Sequence, residues 1–291
     1  MHLLPITLTR QVEQPTLTKR PMQHPRHRLY PAKSKLALRL SKRFGCSALY
    51  FAKVFSQLSG RGANPSWVFD GPRLQAHHCR HISMRLAPVM CTFVTNHARS
   101  QMIQWWQNGH AVRRCGHGTL AHIACSANGK SMCSKTEPLS GGLAVNAQAM
   151  LTFDALEASP CNDNSLSKIV NLPVTFTGSE PFGYDFMQCD SDDLRFLEVD
   201  LEHLATRRNA LIVINKPSHL QRHWQCRYFA PQFGNPEDLA TASALAVIAP
   251  WLHRHYGLNS AVIHQGSSRL NYKLSGQYVR IFAKVLALRL H

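Results

Sequence analysis

Two apolar helical segments, one in each half of the chain and each entered from a cluster of small or polar residues, are the feature that most limits what this sequence can fold into. Gly116–Cys125 (GHGTLAHIAC) reads as a buried helix beginning at a glycine-flanked histidine, and Ala240–Leu252 as a second, mostly apolar helix entered through Glu237 and Asp238. A helix without a broad polar face has to be covered by other elements. Short strand-like runs surround both. In the first half they are Ala48–Phe55, Ser66–Phe69, Cys91–Thr95, Met102–Trp106, Ala111–Cys115, Leu143–Val145 and Met150–Phe153, with a turn-rich stretch at Ser59–Pro65. Leu74–Leu86 has helical spacing, with Cys79, Ile82 and Leu86 on one face. In the second half the strands are Arg195–Val199, Leu211–Ile214, Arg227–Ala230, Ala261–His264 and Tyr278–Phe282, with turns at Gly234–Pro236 and Gln265–Ser268. The halves share a layout, not a residue-level repeat.

The 291 residues allow one large domain or two of ordinary size. The longest apolar runs, such as Ala244–Pro250, fall far short of the ~18 residues a membrane span needs, so a soluble chain with no membrane partner is expected. Lys and Arg number 33 against 16 Asp and Glu, a formal charge of +17. Residues 1–45 hold ten of those cations and one acid, Glu13, together with five prolines. They predict a basic, non-globular extension ahead of a first domain at 46–150 and a second at 151–291. The nine cysteines are odd in number and irregularly spaced, without a C-x-x-C pair, and Met1–Arg10 lacks the pattern of a signal peptide. A disulfide framework is therefore not expected, and the cytoplasm is the expected compartment.

Chemistry concentrates at the two helix starts. Glycines flanking His117 allow a tight turn and leave N–H groups without helical partners, and such amides suit a carboxylate or phosphate. His117 would sit beside that anion as an acid, base or hydrogen-bond donor; a capped core helix with a packed histidine is the plainer alternative. Asp238 with Ala242 and Ser243 forms the second start, and Asp is also an ordinary helix cap. Facing each other, the two starts could hold a small carboxylate in a cleft. His77, His78, Cys79 and His81 with His110, Cys115 and His117 could suggest a metal, but no nearby carboxylate completes a ligand set, and no metal is expected.

On these residues the sequence resembles the PhzF-like phenazine-biosynthesis proteins, built on the diaminopimelate-epimerase fold. Lys53-Val54-Phe55 and Gly62-Ala63-Asn64-Pro65-Ser66-Trp67-Val68 look like that family's opening strand and Gly-Asn-Pro turn. Gln104-Trp105-Trp106 through Cys115-Gly116-His117-Gly118-Thr119-Leu120-Ala121 resembles its next strand and its Cys-Gly-His-Ala-Thr-Leu-Ala helix start. Ser140-Gly141-Gly142-Leu143-Ala144-Val145, Arg227–Pro231, Glu237–Ala244, Ala249-Pro250-Trp251 and Gln265-Gly266-Ser267 follow in order. Cys115-Gly116-His117-Gly118-Thr119 also looks like the first cysteine motif of proline-racemase relatives, but residues 237–244 hold no second cysteine for a two-thiol mechanism.

The resemblance implies an α+β protein of two similar domains, each a mixed, curved sheet or barrel around a central helix. It implies cofactor-free isomerisation of a small carboxylate by proton abstraction and return. His117 and Asp238 match the family's functional histidine and aspartate, and amides near Gly116, Gly118, Ala242 and Ser243 would hold the carboxylate. A homodimer is the expected assembly. One departure stands out. The family's Ala-x-Glu-x-Asn-x-Ser-Glu-Thr-Ala-Phe-Val stretch, anchored on Phe93-Val94, places Val89, Met90, Cys91 and Thr92 at Ser-Glu-Thr-Ala and Arg85 where the acid/base glutamate is expected. Arginine takes up no proton at neutral pH, so Arg85 is expected as an added positive ligand. The competing readings are a non-catalytic anion-binding relative and a nucleic-acid binder acting through residues 1–45; nucleic acid is the less expected partner.

Overall fold

The computed structural model describes residues 30–56, 63–126, 131–134, 138–143, 148–161, 163–181, 183–218 and 223–291. Seventeen strands and six helices lie among them. The first half runs α1 (Tyr30–Arg43), β1 (Ala48–Val54), β2 (Asn64–Gly71), α2 (Ala76–Leu86), β3 (Met90–Asn96), β4 (Ser100–Gln107), β5 (His110–Val112), α3 (Gly116–Cys125), β6 (Ser131–Cys133), β7 (Pro138–Leu143) and β8 (Ala149–Asp154). The second runs β9 (Ser159–Pro160), α4 (Asn164–Ser167), β10 (Val174–Glu180), β11 (Tyr184–Cys189), α5 (Leu201–Ala205), β12 (Ala210–Asn215), β13 (Trp224–Phe229), α6 (Leu245–Tyr256), β14 (Ser260–Gln265), β15 (Ser268–Ser275), β16 (Tyr278–Ala283) and β17 (Val285–Leu290).

The two halves repeat one topology. In the first, β1 and β2 are antiparallel, β2 and β3 parallel, β3 and β4 antiparallel, and β4 and β6 parallel across α3; β6, β7 and β8 then meander. In the second, β10 to β16 repeat that series step for step, with α6 in place of α3. Each parallel pair needs a crossover, and the helices supply it. The halves are stitched by β8 pairing with β16 and by β17, the last strand, returning to pair with β1.

Period-two alternation sorts the strands of the first half into two faces. Ala52, Val54, Val68, Met90 and Val94 turn inward to α3, while Leu49, Trp67, Phe69, Cys91 and Phe93 turn outward beneath α2. α3 is buried from Gly116 to Ile123, and α6 from Leu245 to Ala249 and at Trp251 and Leu252. Pro250 sits inside α6 and cannot donate to the carbonyl of Ala246. That carbonyl instead accepts the N–H of Leu156 at 2.8 Å, so the link leaving β8 is tied to the second central helix.

Several sequence expectations need correction. Residues 30–43, expected within a non-globular extension, form α1, with Ala37, Leu40 and Ser41 buried against the outer face of the first half. Its interrupted apolar stripe escapes notice because lysines and arginines separate the few buried positions. Residues 1–29, the turn at 57–62 and Ala144-Val145 lie outside the described residues. Arg195–Val199 is not a strand: Asp193 accepts the N–H of Arg195 at 2.9 Å and starts a single 3-10 turn at Leu194–Phe196, leaving Val199 in an isolated bridge with Val170. The strand expected over Ala111–Cys115 ends at Val112. The helix expected from Ala240 opens with a 3-10 turn at Ala242–Ala244 that leads into α6.

Candidate active site

Both helix starts open into one cavity of about 700 Å³ lined by residues of both halves. The first start is fixed locally. Cys115 is extended, its Sγ accepts the N–H of Gly118 at 3.3 Å, and Thr119 Oγ1 donates to its carbonyl at 2.8 Å. The second is held by Gln265. Its Nε2 donates to the carbonyl of Asp238 at 2.8 Å, and its Oε1 accepts the N–H of Thr241 at 2.8 Å. The Gln265-Gly266-Ser267 turn thus braces a helix start 24 residues earlier in the chain.

The two starts touch. A Cβ on Gly116 would lie 2.4 Å from the Cβ of Ala242 and 3.1 Å from the nitrogen of Ser243, so only glycine fits at 116. Asn64, the first residue of β2, joins the two candidate side chains. Its Nδ2 donates to Asp238 Oδ1 at 2.8 Å and to the carbonyl of Ala240 at 2.9 Å, and it stands 3.2 Å from Nδ1 of His117. Thr241 Oγ1 donates to the other carboxylate oxygen of Asp238 at 2.7 Å. Both carboxylate oxygens of Asp238 thus have a side-chain donor.

His117 is buried, and burial pulls its pKa below the usual histidine value against the opposing pull of Asp238. The imidazole is neutral at neutral pH and can donate or accept a proton. Cys115 Sγ lies 3.5 Å from His117 Nδ1. Burial pushes this thiol well above the ordinary cysteine range, so it is a thiol and not a thiolate. Three guanidinium groups, Arg113, Arg114 and Arg208, line the cavity with two carboxylates, Asp154 and Asp238. The balance favours an anionic guest.

His117, Asp238, Gly116, Ala242 and Ser243 are therefore brought together. Gly118 and Arg85 are not. The N–H of Gly118 is taken by Cys115, and a Cβ there would meet Thr92 and Trp105 at 2.7 Å, so this glycine faces the core and not a ligand. Arg85 is exposed on α2, whose apolar face rests on the outer side of the sheet. The sheet separates Arg85 from α3. The inward position in the same sequence window is Met90, 3% exposed and lining the cavity. Counting back from Phe93-Val94 places residues along the chain; the strand's alternation decides which one faces the site. His77, His78 and His81 also lie on α2. Among the described residues no three His, Cys, Asp or Glu side chains gather as a metal site would require.

Sequence reasoning missed Asn64 and Gln265 as site-building residues, although both stand in motifs it singled out. It missed Arg113, Arg114 and Arg208 altogether. The doublet at 113–114, directly before the Cys-Gly-His step, was the available signal.

Residues 187–273 match the family model described as phenazine biosynthesis-like protein, PhzC-PhzF. An uncharacterized isomerase of Vibrio cholerae is 24% identical over 251 residues, covering 78% of this chain and 82% of that protein. Among solved structures, a phenazine biosynthesis protein of the PhzF family from Enterococcus faecalis superposes with a TM-score of 0.68 at 17% identity, over 84% of this chain and 99% of that one. A PhzF-family protein from Bacillus anthracis gives 0.66 at 14% identity, over 84% and 98%. No helix among the described residues is long and apolar enough to cross a membrane.

Proposed function

The chain is PhzF-like, and on that premise we propose that it is an isomerase that moves a proton within a small carboxylate substrate without a cofactor. The observation carrying this reading is that Asn64 links His117 of one half to Asp238 of the other at the wall of an arginine-lined cavity. The first N–H groups of α3, at Gly116 and His117, and those of Ala242 and Ser243 have no partner within their own helices, and Gly116 lies against the nitrogen of Ser243 where the two starts meet. They would hold the substrate carboxylate, with the helix dipoles aiding both sides.

Asp238 is the proton acceptor of this scheme. It takes a proton from a carbon activated by the bound carboxylate, the electron pair left behind delocalises into the substrate, and the proton returns at a different position. Neutral His117 donates a hydrogen bond to the charge that develops. No glutamate stands in the window where the resemblance places the acid/base group, and a general base lost from a site costs about 10²–10⁴-fold; slow turnover is part of this reading.

One observation favours a second reading, a non-catalytic anion-binding relative. Met90 occupies the inward position of the window in which the family pattern has Ser-Glu-Thr-Ala, and a thioether accepts no proton. Solvent deuterium exchange into a panel of small unsaturated and α-substituted carboxylates, followed by NMR, separates the two. Incorporation at one carbon that disappears in Asp238→Asn and falls in His117→Ala supports the isomerase. Carboxylate binding without incorporation in any panel member supports the binding protein and overturns the first reading.

A further inference from the structure

The charge of this molecule is divided between its halves far more sharply than its total suggests. Between Glu13 and Glu137 stand nineteen Lys and Arg and a single acid, Asp70. From Glu137 to the last residue, thirteen Lys and Arg face fourteen acids. The whole excess therefore lies in the first half, and neutralising partners for it are absent there. Asp70 already accepts a hydrogen bond from Asn96.

α1 and α2 pack side by side on the outer face of this half, across the sheet from the cavity. Neither helix contains an acidic residue. Lys35, Arg39, Lys42 and Arg43 are exposed on α1, and Arg73, Arg80 and Arg85 are exposed on α2 and the residues leading into it. None of the seven makes an ion pair among the described residues. His77, His78 and His81 stand among them, and the pKa of His78 is lowered by desolvation and by His77, Arg43 and His81. Clustering like charges on a folded surface costs stability unless a counter-charge is supplied.

From this surface we infer that α1 and α2 form a binding face for the phosphodiester backbone of nucleic acid, separate from the cavity. A 14-residue helix extends about 20 Å, long enough to span several successive phosphates. Five of the seven cations are arginines, whose planar guanidinium meets a phosphate through two parallel hydrogen bonds. An anionic membrane is the less suitable polyanion. On α1, Ala37 and Leu40 are buried on the protein and Leu36 and Leu38 pack partly buried against the same cluster, so that helix keeps no free apolar stripe to enter a bilayer. Contacts to phosphate carry no sequence information, so binding is sequence-tolerant. The face also gives Arg85 a place outside the catalytic cavity.

The test is fluorescence anisotropy of the full chain with labelled 30-nucleotide RNA and DNA oligonucleotides of mixed sequence. Binding that weakens by about 10³-fold between 50 and 200 mM salt is expected for six or seven phosphate contacts. Arg73→Glu/Arg80→Glu/Arg85→Glu should weaken it about a hundredfold at 100 mM salt and lower the salt slope by about three. Lys35→Glu/Arg39→Glu/Lys42→Glu, on the other helix, should do the same. All six side chains are exposed, and unchanged thermal melting checks that each variant is folded. No binding at 50 mM salt, or binding within twofold of the parent in both triple variants, overturns the proposal. So does tighter binding to vesicles of phosphatidylserine and phosphatidylcholine than to either oligonucleotide. None of these outcomes bears on the isomerase reading, which the exchange assay tests separately.

Discussion

Asn64 donates to Asp238 at 2.8 Å across 174 residues of chain, and the same amide nitrogen stands 3.2 Å from His117. One buried side chain thereby bridges the candidate site residues of the two halves. The strand bearing Asn64 belongs to the first half, so the hydrogen bond to Asp238 also ties the halves together at the cavity.

Removing that amide leaves Asp238 Oδ1 with the Leu239 N–H alone and takes the Asn64 donor from the carbonyl of Ala240. Asn64→Ala is expected to destabilise the protein by about 1–3 kcal/mol, the cost of an unsatisfied buried polar group, measured by urea denaturation. Any deuterium exchange should fall more steeply than stability does, because Asp238 and His117 lose their common anchor. Unchanged stability would show that the pair is held by other contacts.

The contact between Gly116 and Ala242 makes a sharper prediction. Gly116→Ala would drive two Cβ atoms to 2.4 Å, and relief requires the two helix starts to separate. Overpacking of this kind costs about 1–3 kcal/mol. Ala242→Gly removes the opposing methyl, so the double variant Gly116→Ala/Ala242→Gly should recover most of the loss, a coupling that a double-mutant cycle measures directly.

Met90 and Arg85 separate the two assignments of the missing carboxylate. Met90→Glu places a carboxylate at the cavity wall. Deuterium exchange is expected to rise by about 10²–10⁴-fold, with some loss of stability from burying an ionisable group. Arg85→Glu should leave exchange unchanged, since its side chain lies across the sheet. The reverse pattern would return Arg85 to the site.

Stability should also fall in mild acid. His122 lies buried on α3, its Nε2 2.8 Å from Gln101 Oε1, and burial pushes its pKa down to about 4. Burial lowers that of His117 as well. A histidine held neutral in the fold takes up its proton more readily when unfolded, where its pKa is near 6.5. The stability it contributes is full above that value and is lost as the pH falls toward 4. For His122 this is on the order of 3 kcal/mol. Urea midpoints measured from pH 7.5 to 4.5 should decline, and His122→Gln should flatten the decline.

Local patterning was enough to read the two central helices, most of the strands around them and the two helix starts that carry His117 and Asp238 as candidate site residues. These are local matters. The Gly-His-Gly step and the polar cluster before α6 place small residues at helix starts, and period-two alternation marks half-buried strands. Which residues line the cavity depends on contacts between distant parts of the chain. Asn64 reaches Asp238 across 174 residues and Gln265 reaches it across 27, while Arg208 lines the cavity with residues of the other half, relations that no local window contains. Arg85 and Met90 are five positions apart, yet one ends a helix lying outside the sheet and the other begins a strand whose first side chain points inward. Gly118 differs from Gly116 by one step of helix rotation each way around His117, about 100° per residue, enough to turn its Cα from the cavity into the core. Burial of α1 was settled the same way: its few apolar residues acquire meaning only when the outer face of the sheet is there to receive them.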